Sequence, residues 1–600
     1  MTGNSKVLIP LIIALLSCTG RKEKIPDTLP MAKSSGKLVI YQMMTRLFGN
    51  QKTANKLHGT MEENGVGKFE DINDAALKGI KELGTTHVWY TGVLEHALLT
   101  DYTKFGIPLD DADVVKGRAG SPYSIKDYYD INPDLAVNVA NRMAEFEQLV
   151  GRTHDHGLRV IIDFVPNHVA RSYKSDAKPD GIKDLGEEDN KTLSFSAGNN
   201  FYYLPGQSFQ VPGDYVPLGN NSFPTKDGKF EETPAKVTGN DQFSASPGIN
   251  DWFEAVKLNY GVDIQHSHKS FFDPVPNTWE KMRDILLFWT SKKVDGFRCD
   301  MSEKVPVEFW HWVIPQVKAA NPQILFIAEI YNPAQYRNYL DNGRFDLLYD
   351  KVQLYDTLRH LVTQHSTATD IPKIQQSLAG INHQMLHFLE NHDEQRFASP
   401  FFAGDAWKAI PAMVVSATID RGPVMIYFGQ EVGEPGAGVE GFSVEDGRTT
   451  IYDYWGVPQH QKWVNGGKYD GGQLSDEQKQ LRQFYGDILN LAATRPAIAE
   501  GDYADLTELN VGAKNTSDRI HAFVRVSEDD RLVIVSGFNS KSEHARIQLS
   551  KEAIDKFKLK QDEVYIGRDL LRSGLEIGLD QHFTFELDIP PYSSFIIKIK

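Results

Sequence analysis

Asn277-Thr278-Trp279 through Lys293, followed directly by Val294-Asp295-Gly296-Phe297-Arg298-Cys299-Asp300, is the stretch on which the fold turns. Apolar residues at helical spacing run into a short apolar strand that ends on two charged side chains, which is the α-to-β half of a β/α unit. The same unit recurs on both sides. Upstream, Lys37-Leu38-Val39-Ile40-Tyr41-Gln42 reads as a first strand, residues 73–83 as a helix stopped by Gly84, and Thr86-His87-Val88-Trp89-Tyr90 as a second strand. A helix over 137–155 leads through Gly157 to Arg159-Val160-Ile161-Ile162-Asp163-Phe164-Val165, the third. Downstream, Ile324-Leu325-Phe326-Ile327-Ala328-Glu329 is the fifth strand, residues 345–350 the sixth, 385–389 the seventh and 423–428 the eighth. Eight such units predict an α/β fold closed into a (β/α)8 barrel.

The alternation is broken twice. Residues 171–262 are rich in Gly, Asn, Ser, Pro and aromatics and show no long amphipathic helix, so they read as an irregular insert domain after strand three. Beyond a last helix near 475–493 the pattern changes to short strands such as His521-Ala522-Phe523-Val524-Arg525-Val526, which predicts a C-terminal all-β sandwich domain. The expected organisation is a barrel over 36–170 and 263–497, the insert over 171–262 and the β domain over 498–600.

Lys6 and the apolar run 7–16 are too short for a membrane span and read as an export signal over 1–17. Leu15-Leu16-Ser17-Cys18 resembles the bacterial lipoprotein signal, with Cys18 lipidated and 18–35 a tether; the alternatives are a plain signal peptide with an incidental cysteine, or a buried N-terminal helix. The expected location is the cell envelope, lipid-anchored on the periplasmic or the outer-membrane face. Only Cys299 remains besides, which excludes an internal disulfide framework, and its apolar flanks predict a buried thiol. A composition of 41% hydrophobic and 24% charged residues excludes a disordered chain. A net charge of −16 without a long Lys/Arg cluster argues against nucleic acid as a partner.

Chemistry-bearing residues gather where the predicted strands end, on the face where such barrels build their sites. They are Asp163, Asn167 and His168 after strand three, Arg298 and Asp300 at strand four, Glu329 at strand five, and Asn391-His392-Asp393 after strand seven. Taken singly, each reads equally well as a cap, a turn residue or a structural histidine. Together, three carboxylates on separate strand ends supply the differently protonated pair that glycoside cleavage needs.

The segments Val160-Ile161-Ile162-Asp163-Phe164-Val165-Pro166-Asn167-His168, Gly296-Phe297-Arg298-Cys299-Asp300, Phe326-Ile327-Ala328-Glu329-Ile330 and Phe388-Leu389-Glu390-Asn391-His392-Asp393 resemble, in order, the four signature regions of the α-amylase family (glycoside hydrolase family 13). The resemblance implies Asp300 as nucleophile, Glu329 as acid/base and Asp393 as the third carboxylate. It also implies that Tyr123, His168, Arg298 and His392 bind the cleaved sugar, and that no cofactor is required for the chemistry. A structural calcium ion with Asn167 among its ligands is implied too. Glu303 and Lys304 depart from the Lys and His that many α-amylases carry there, and residues 50–68 hold no Asp/Asn-rich calcium loop. Val256-Lys257-Leu258-Asn259 resembles a fifth region of neopullulanase-like members, which implies action on α-1,4 and α-1,6 bonds or on short oligosaccharides. The expected function is retaining hydrolysis of α-glucosidic bonds in starch-like glucans or maltooligosaccharides, carbohydrate metabolism at a membrane. The alternatives are an α-glucan transglycosylase and a non-catalytic glucan-binding lipoprotein.

Overall fold

The computed structural model describes residues 36–266, 268–438, 445–512, 516–528, 530–571 and 574–600. Cys18, the export signal and the tether lie outside the described residues. The barrel closes from eight parallel strands in sequential order: β1 Val39–Met44, β2 His87–Thr91, β3 Arg159–Phe164, β4 Gly296–Cys299, β5 Leu325–Ala328, β6 Leu347–Tyr349, β7 Met385–Phe388 and β8 Val424–Tyr427. Side chains alternate along each strand. Val160, Ile162 and Phe164 of β3 and Phe297 and Cys299 of β4 face the helical ring, whereas Ile161, Leu325, Ile327, Leu386, Phe388 and Met425 fill the interior. Cys299 is fully buried, as its flanks imply.

Boundaries shift by a few residues for local reasons. β1 begins later than its apolar run because Lys37 turns its Nζ onto the carbonyl oxygens of Ala417 (2.9 Å) and Asp420 (3.0 Å). β6 is shorter than 345–350, since Asp346 accepts the Phe326 N–H and Asp350 accepts that of Leu354. The helix expected from 137 starts at Arg142, because the Glu145 carboxylate takes the N–H groups of Val137 and Asn138. The helix Asp476–Thr494 is entered through a capping box between Ser475 and Gln478.

A hairpin-like pair that sequence patterning misses, Leu94–His96 against Ile125–Ile131, stands on the loop after β2. The insert is threaded by two-stranded pairs only, including His168–Ala170 against Ala255–Lys257. Toward the C-terminus a six-stranded antiparallel sheet and a separate pair, Glu543–Gln548 with Thr584–Ile589, hold a second core of Val524, Val533, Ile547, Phe585 and Ile597. The opposite face of the large sheet, with Phe523, Leu532, Ile534 and Ile596, packs into the main core. The region is not purely β: Ser550 caps a helix, Lys551–Phe557, whose Ala553 and Phe557 are buried.

Candidate active site

Arg298 sits at the centre. It projects inward from β4, in register with Asp163 on β3 and Ile327 on β5. It is fully buried, and an unpaired guanidinium there would be very costly. Rings of Trp89, Tyr123 and Tyr349 wall it, with centroids 5.4, 5.4 and 5.3 Å from the guanidinium carbon. Its Nε donates to the Tyr349 hydroxyl at 3.2 Å. Nη1 donates to Asp300 Oδ1 at 2.8 Å and lies 3.7 Å from Asp163 Oδ1, while Nη2 pairs with Glu329 Oε2 at 2.9 Å. One cation therefore serves three carboxylates.

Both Asp300 and Glu329 are shifted upward from the ordinary carboxylate range by burial; Arg298 opposes the shift at each, and the neighbouring acids reinforce it. Burial outweighs Arg298, so Asp300 is not held below the usual carboxylate range. Glu329 is further gripped by the Met301 N–H on Oε2 (2.7 Å) and by the Tyr331 hydroxyl on Oε1 (2.7 Å). Met301 reaches that geometry at a φ of 44°, the left-handed region that a side-chain-bearing residue rarely adopts.

Asp393 behaves differently. Desolvation works against its charge, but His392 outweighs it, helped by Arg298 and Arg448, and the carboxyl is held down to about 2. Its side chain is 40% exposed and so is the member of the trio open to a ligand. His392 Nε2 lies 2.9 Å from Asp393 Oδ2 and 2.7 Å from the Tyr123 hydroxyl, and its ring stacks on Tyr123 at 5.1 Å. The Gln42 amide nitrogen lies 2.9 Å from Nδ1 and holds the ring in this orientation.

Tyr123, Arg298, Asp300, Glu329, His392 and Asp393 are thus brought together with Asp163. His168 is placed beside them in the chain but on the insert junction, where its ring lies 5.2 Å from that of Trp252 and its Nδ1 3.1 Å from Asn167 Nδ2. Burial pushes its imidazole down to about 4, so it is neutral near pH 7. Four residues not anticipated as part of the site, Gln42, Trp89, Tyr331 and Tyr349, orient the others. Gln42 carries a weak signal, being a polar residue within the apolar β1. Of the insert aromatics that could line a groove, Phe201, Tyr202, Tyr203 and Phe253 are buried as packing, and Trp252 is partly exposed. The pair His154 and His156 turns to separate carboxylates, Asp295 (2.7 Å) and Asp74 (3.0 Å), and forms no metal site.

The calcium role expected of Asn167 does not fit. Its Oδ1 accepts from the buried Lys257 ammonium, which also pairs with Asp241 Oδ1 at 2.9 Å and donates to the Lys304 carbonyl at 3.2 Å. An ammonium occupies the point where these oxygens converge, and a divalent cation there would face it at contact distance. Lys304, one of the departures from the family pattern, pairs with Asp241 Oδ2 at 3.1 Å, and Glu303 accepts the Asn332 N–H. Lys257→Met is expected to lower the thermal midpoint, costing about 1–3 kcal/mol because buried acceptors lose their donor. An unchanged midpoint would show that the ammonium carries no structural weight.

Residues 58–458 match the family model described as "Alpha amylase, catalytic domain". The chain is 23% identical over 438 residues to Alpha-amylase 3 of Dictyoglomus thermophilum, covering 70% of this chain and 74% of the relative. It is 22% identical over 513 residues to a cyclomaltodextrinase of a Bacillus species, covering 84% and 73%. The fold is similar to that of an α-amylase from Geobacillus thermoleovorans, with a TM-score of 0.61 at 17% identity over 94% of this chain and 98% of that one.

Proposed function

The chain belongs to the α-amylase family of glycoside hydrolases, and from that premise we propose that it cleaves α-1,4-glucosidic bonds, and α-1,6 bonds as well, in maltooligosaccharides and starch-like glucans with retention of configuration. The observation that carries this reading is the single Arg298 guanidinium hydrogen-bonded to Asp300 through Nη1 and ion-paired with Glu329 through Nη2. Carboxyl groups gripped by the two arms of one planar cation are close neighbours, and a retaining mechanism needs them only about 5–5.5 Å apart.

Asp300 attacks the anomeric carbon while Glu329 protonates the departing glycosidic oxygen, giving a covalent glycosyl–Asp300 ester. Glu329, now ionised, takes a proton from water as the water oxygen attacks the anomeric carbon; the bond from that carbon to Asp300 breaks and Asp300 leaves as carboxylate. Burial raises the Glu329 carboxyl, which favours the protonated form that the first half needs, and the proton of its carboxyl is the one transferred. Asp393, ionised and the exposed member of the trio, accepts sugar hydroxyl hydrogens; His392 positions Asp393 and Tyr123 for that contact, and the neutral His168 at the insert junction borders the same groove. Tyr123 forms the floor beneath it.

Purified protein incubated with amylose, pullulan, cyclodextrin and maltotriose is expected to release maltose or maltooligosaccharides of α configuration from more than one of them. Inverted products, or no attack on any α-glucan, would overturn the assignment. Longer oligosaccharides accumulating from maltotriose instead of shorter ones would make the protein a transglycosylase. The motif ending in Cys18 supports attachment to the cell envelope by an N-terminal lipid, with membrane and glucan as partners. Cells fed a fatty-acid analogue are expected to label the protein, and Cys18→Ala to remove the label.

A further inference from the structure

A second feature lies outside the catalytic group, on the loop pair Leu94–His96 and Ile125–Ile131 where the barrel meets the start of the insert. Glu95, Asp130 and Asp176 each offer a carboxylate oxygen, and these oxygens all lie within 4.8 Å of one another. Oxygens around one calcium ion stand about 2.3–2.6 Å from it, hence up to roughly 5 Å from each other.

Acidic residues often cluster without an ion; two facts distinguish this group. Glu95 is 1% exposed, and its Oε2 has no hydrogen-bond partner among the described residues. A buried carboxylate oxygen left without a partner is costly, and a cation among these oxygens would satisfy it. The second fact is charge. Asp127 stands in register with Glu95, so four carboxylates share the neighbourhood. Arg142 is committed to Asp130, its Nε 2.9 Å from both oxygens, and Lys126 to Asp110 at 3.0 Å. The acids are left in excess.

The scaffold holds the ligands in place before any ion arrives. Asp127 spends its own oxygens on the chain around Asp176: Oδ1 accepts the Ser175 hydroxyl at 2.7 Å, and Oδ2 accepts the N–H groups of Asp176 (2.8 Å) and Ala177 (3.0 Å). The backbone at Asp176 is thereby held while its side chain remains exposed, which gives an ion a route from solvent.

We propose that Glu95, Asp130 and Asp176 form a binding site for a hard divalent cation of the calcium type, which clamps the start of the insert to the loop after β2. All-oxygen carboxylate donors with an open side suit calcium, which accepts irregular geometry and completes its shell with water.

Calcium chloride titrated by calorimetry into the full chain, previously stripped with chelator, tests this. One-site binding and an upward shift of the thermal midpoint are expected. Glu95→Gln and Asp176→Asn should each weaken binding at least tenfold and abolish the shift. Glu95→Gln preserves the shape of a protonated Glu95, and Asp176→Asn changes an exposed side chain, so neither is expected to unfold the chain. Absence of calcium binding by the parent chain, or binding unweakened in either variant, would overturn the proposal. The latter result would place the ion elsewhere.

Discussion

Asp300→Asn keeps the fold and loses at least about 10⁴-fold in kcat on maltooligosaccharides, because an amide cannot form the glycosyl ester on which the retaining route depends. Loss of activity through unfolding is excluded by a second expectation that runs the opposite way. Burial raises the Asp300 carboxyl above its ordinary range, so at neutral pH its ionised form costs folding free energy that a neutral amide does not. The thermal midpoint of Asp300→Asn should therefore equal or exceed that of the parent. Glu329→Gln separates the two half-reactions. On ordinary glucans both are slowed, by about 10²–10⁴-fold for loss of an acid/base group. On an α-glucosyl fluoride, whose leaving group needs no proton, ester formation proceeds and hydrolysis stalls, so a burst of fluoride equal to the enzyme concentration is expected. A variant at residue 300 that turned over at the parental rate would move the nucleophile elsewhere; equal slowing by Glu329→Gln on both substrates would remove the acid/base role.

How much of this was legible beforehand depended on whether the decisive interaction lay along the strand or across it. The barrel could be read because each strand carries its own periodicity, and closure follows from repetition. The carboxylates could be placed because they terminate apolar strands. Contacts between strands leave no such trace. Arg298 stands two residues from Asp300 on one strand, but its second partner, Glu329, follows the next strand, and that sharing changes the electrostatic balance of both acids. Gln42, on β1, holds the ring of His392 from far along the chain, and its polarity alone does not name that partner. Asn167 failed as a metal ligand for the same reason. Its own segment is unremarkable as a calcium ligand, and only the approach of Lys257 from a strand paired antiparallel to it supplies the competing cation. Glu95 leaves no signal in the sequence, because its significance is the lack of a partner for Oε2, which exists only in three dimensions.

Arg298→Met is expected to cost more than any change to a single acid, since it leaves Asp163, Asp300 and Glu329 facing one another without a cation in a buried site. Breaking a buried ion pair from one side costs about 3–5 kcal/mol, and the actual loss is limited because the carboxyls can escape by protonation. That escape has a sign. Arg298 opposes the upward shift of Asp300 and Glu329, so its removal raises both further. A carboxyl raised in the fold is neutral up to a higher pH, so the nucleophile becomes available only there. The acidic limb of the kcat/KM profile must move upward in Arg298→Met, together with a fall in the plateau. Stability should recover as pH is lowered toward the range in which the three acids are neutral. Arg298→Lys distinguishes charge from geometry: an ammonium restores a cation but cannot present two nitrogens to two carboxylates and a third to Tyr349. It should regain part of the thermal midpoint and little of the rate, with the acidic limb between those of parent and Arg298→Met. Full recovery of the rate by lysine would mean that only the charge matters and that the two-armed grip on Asp300 and Glu329 is incidental.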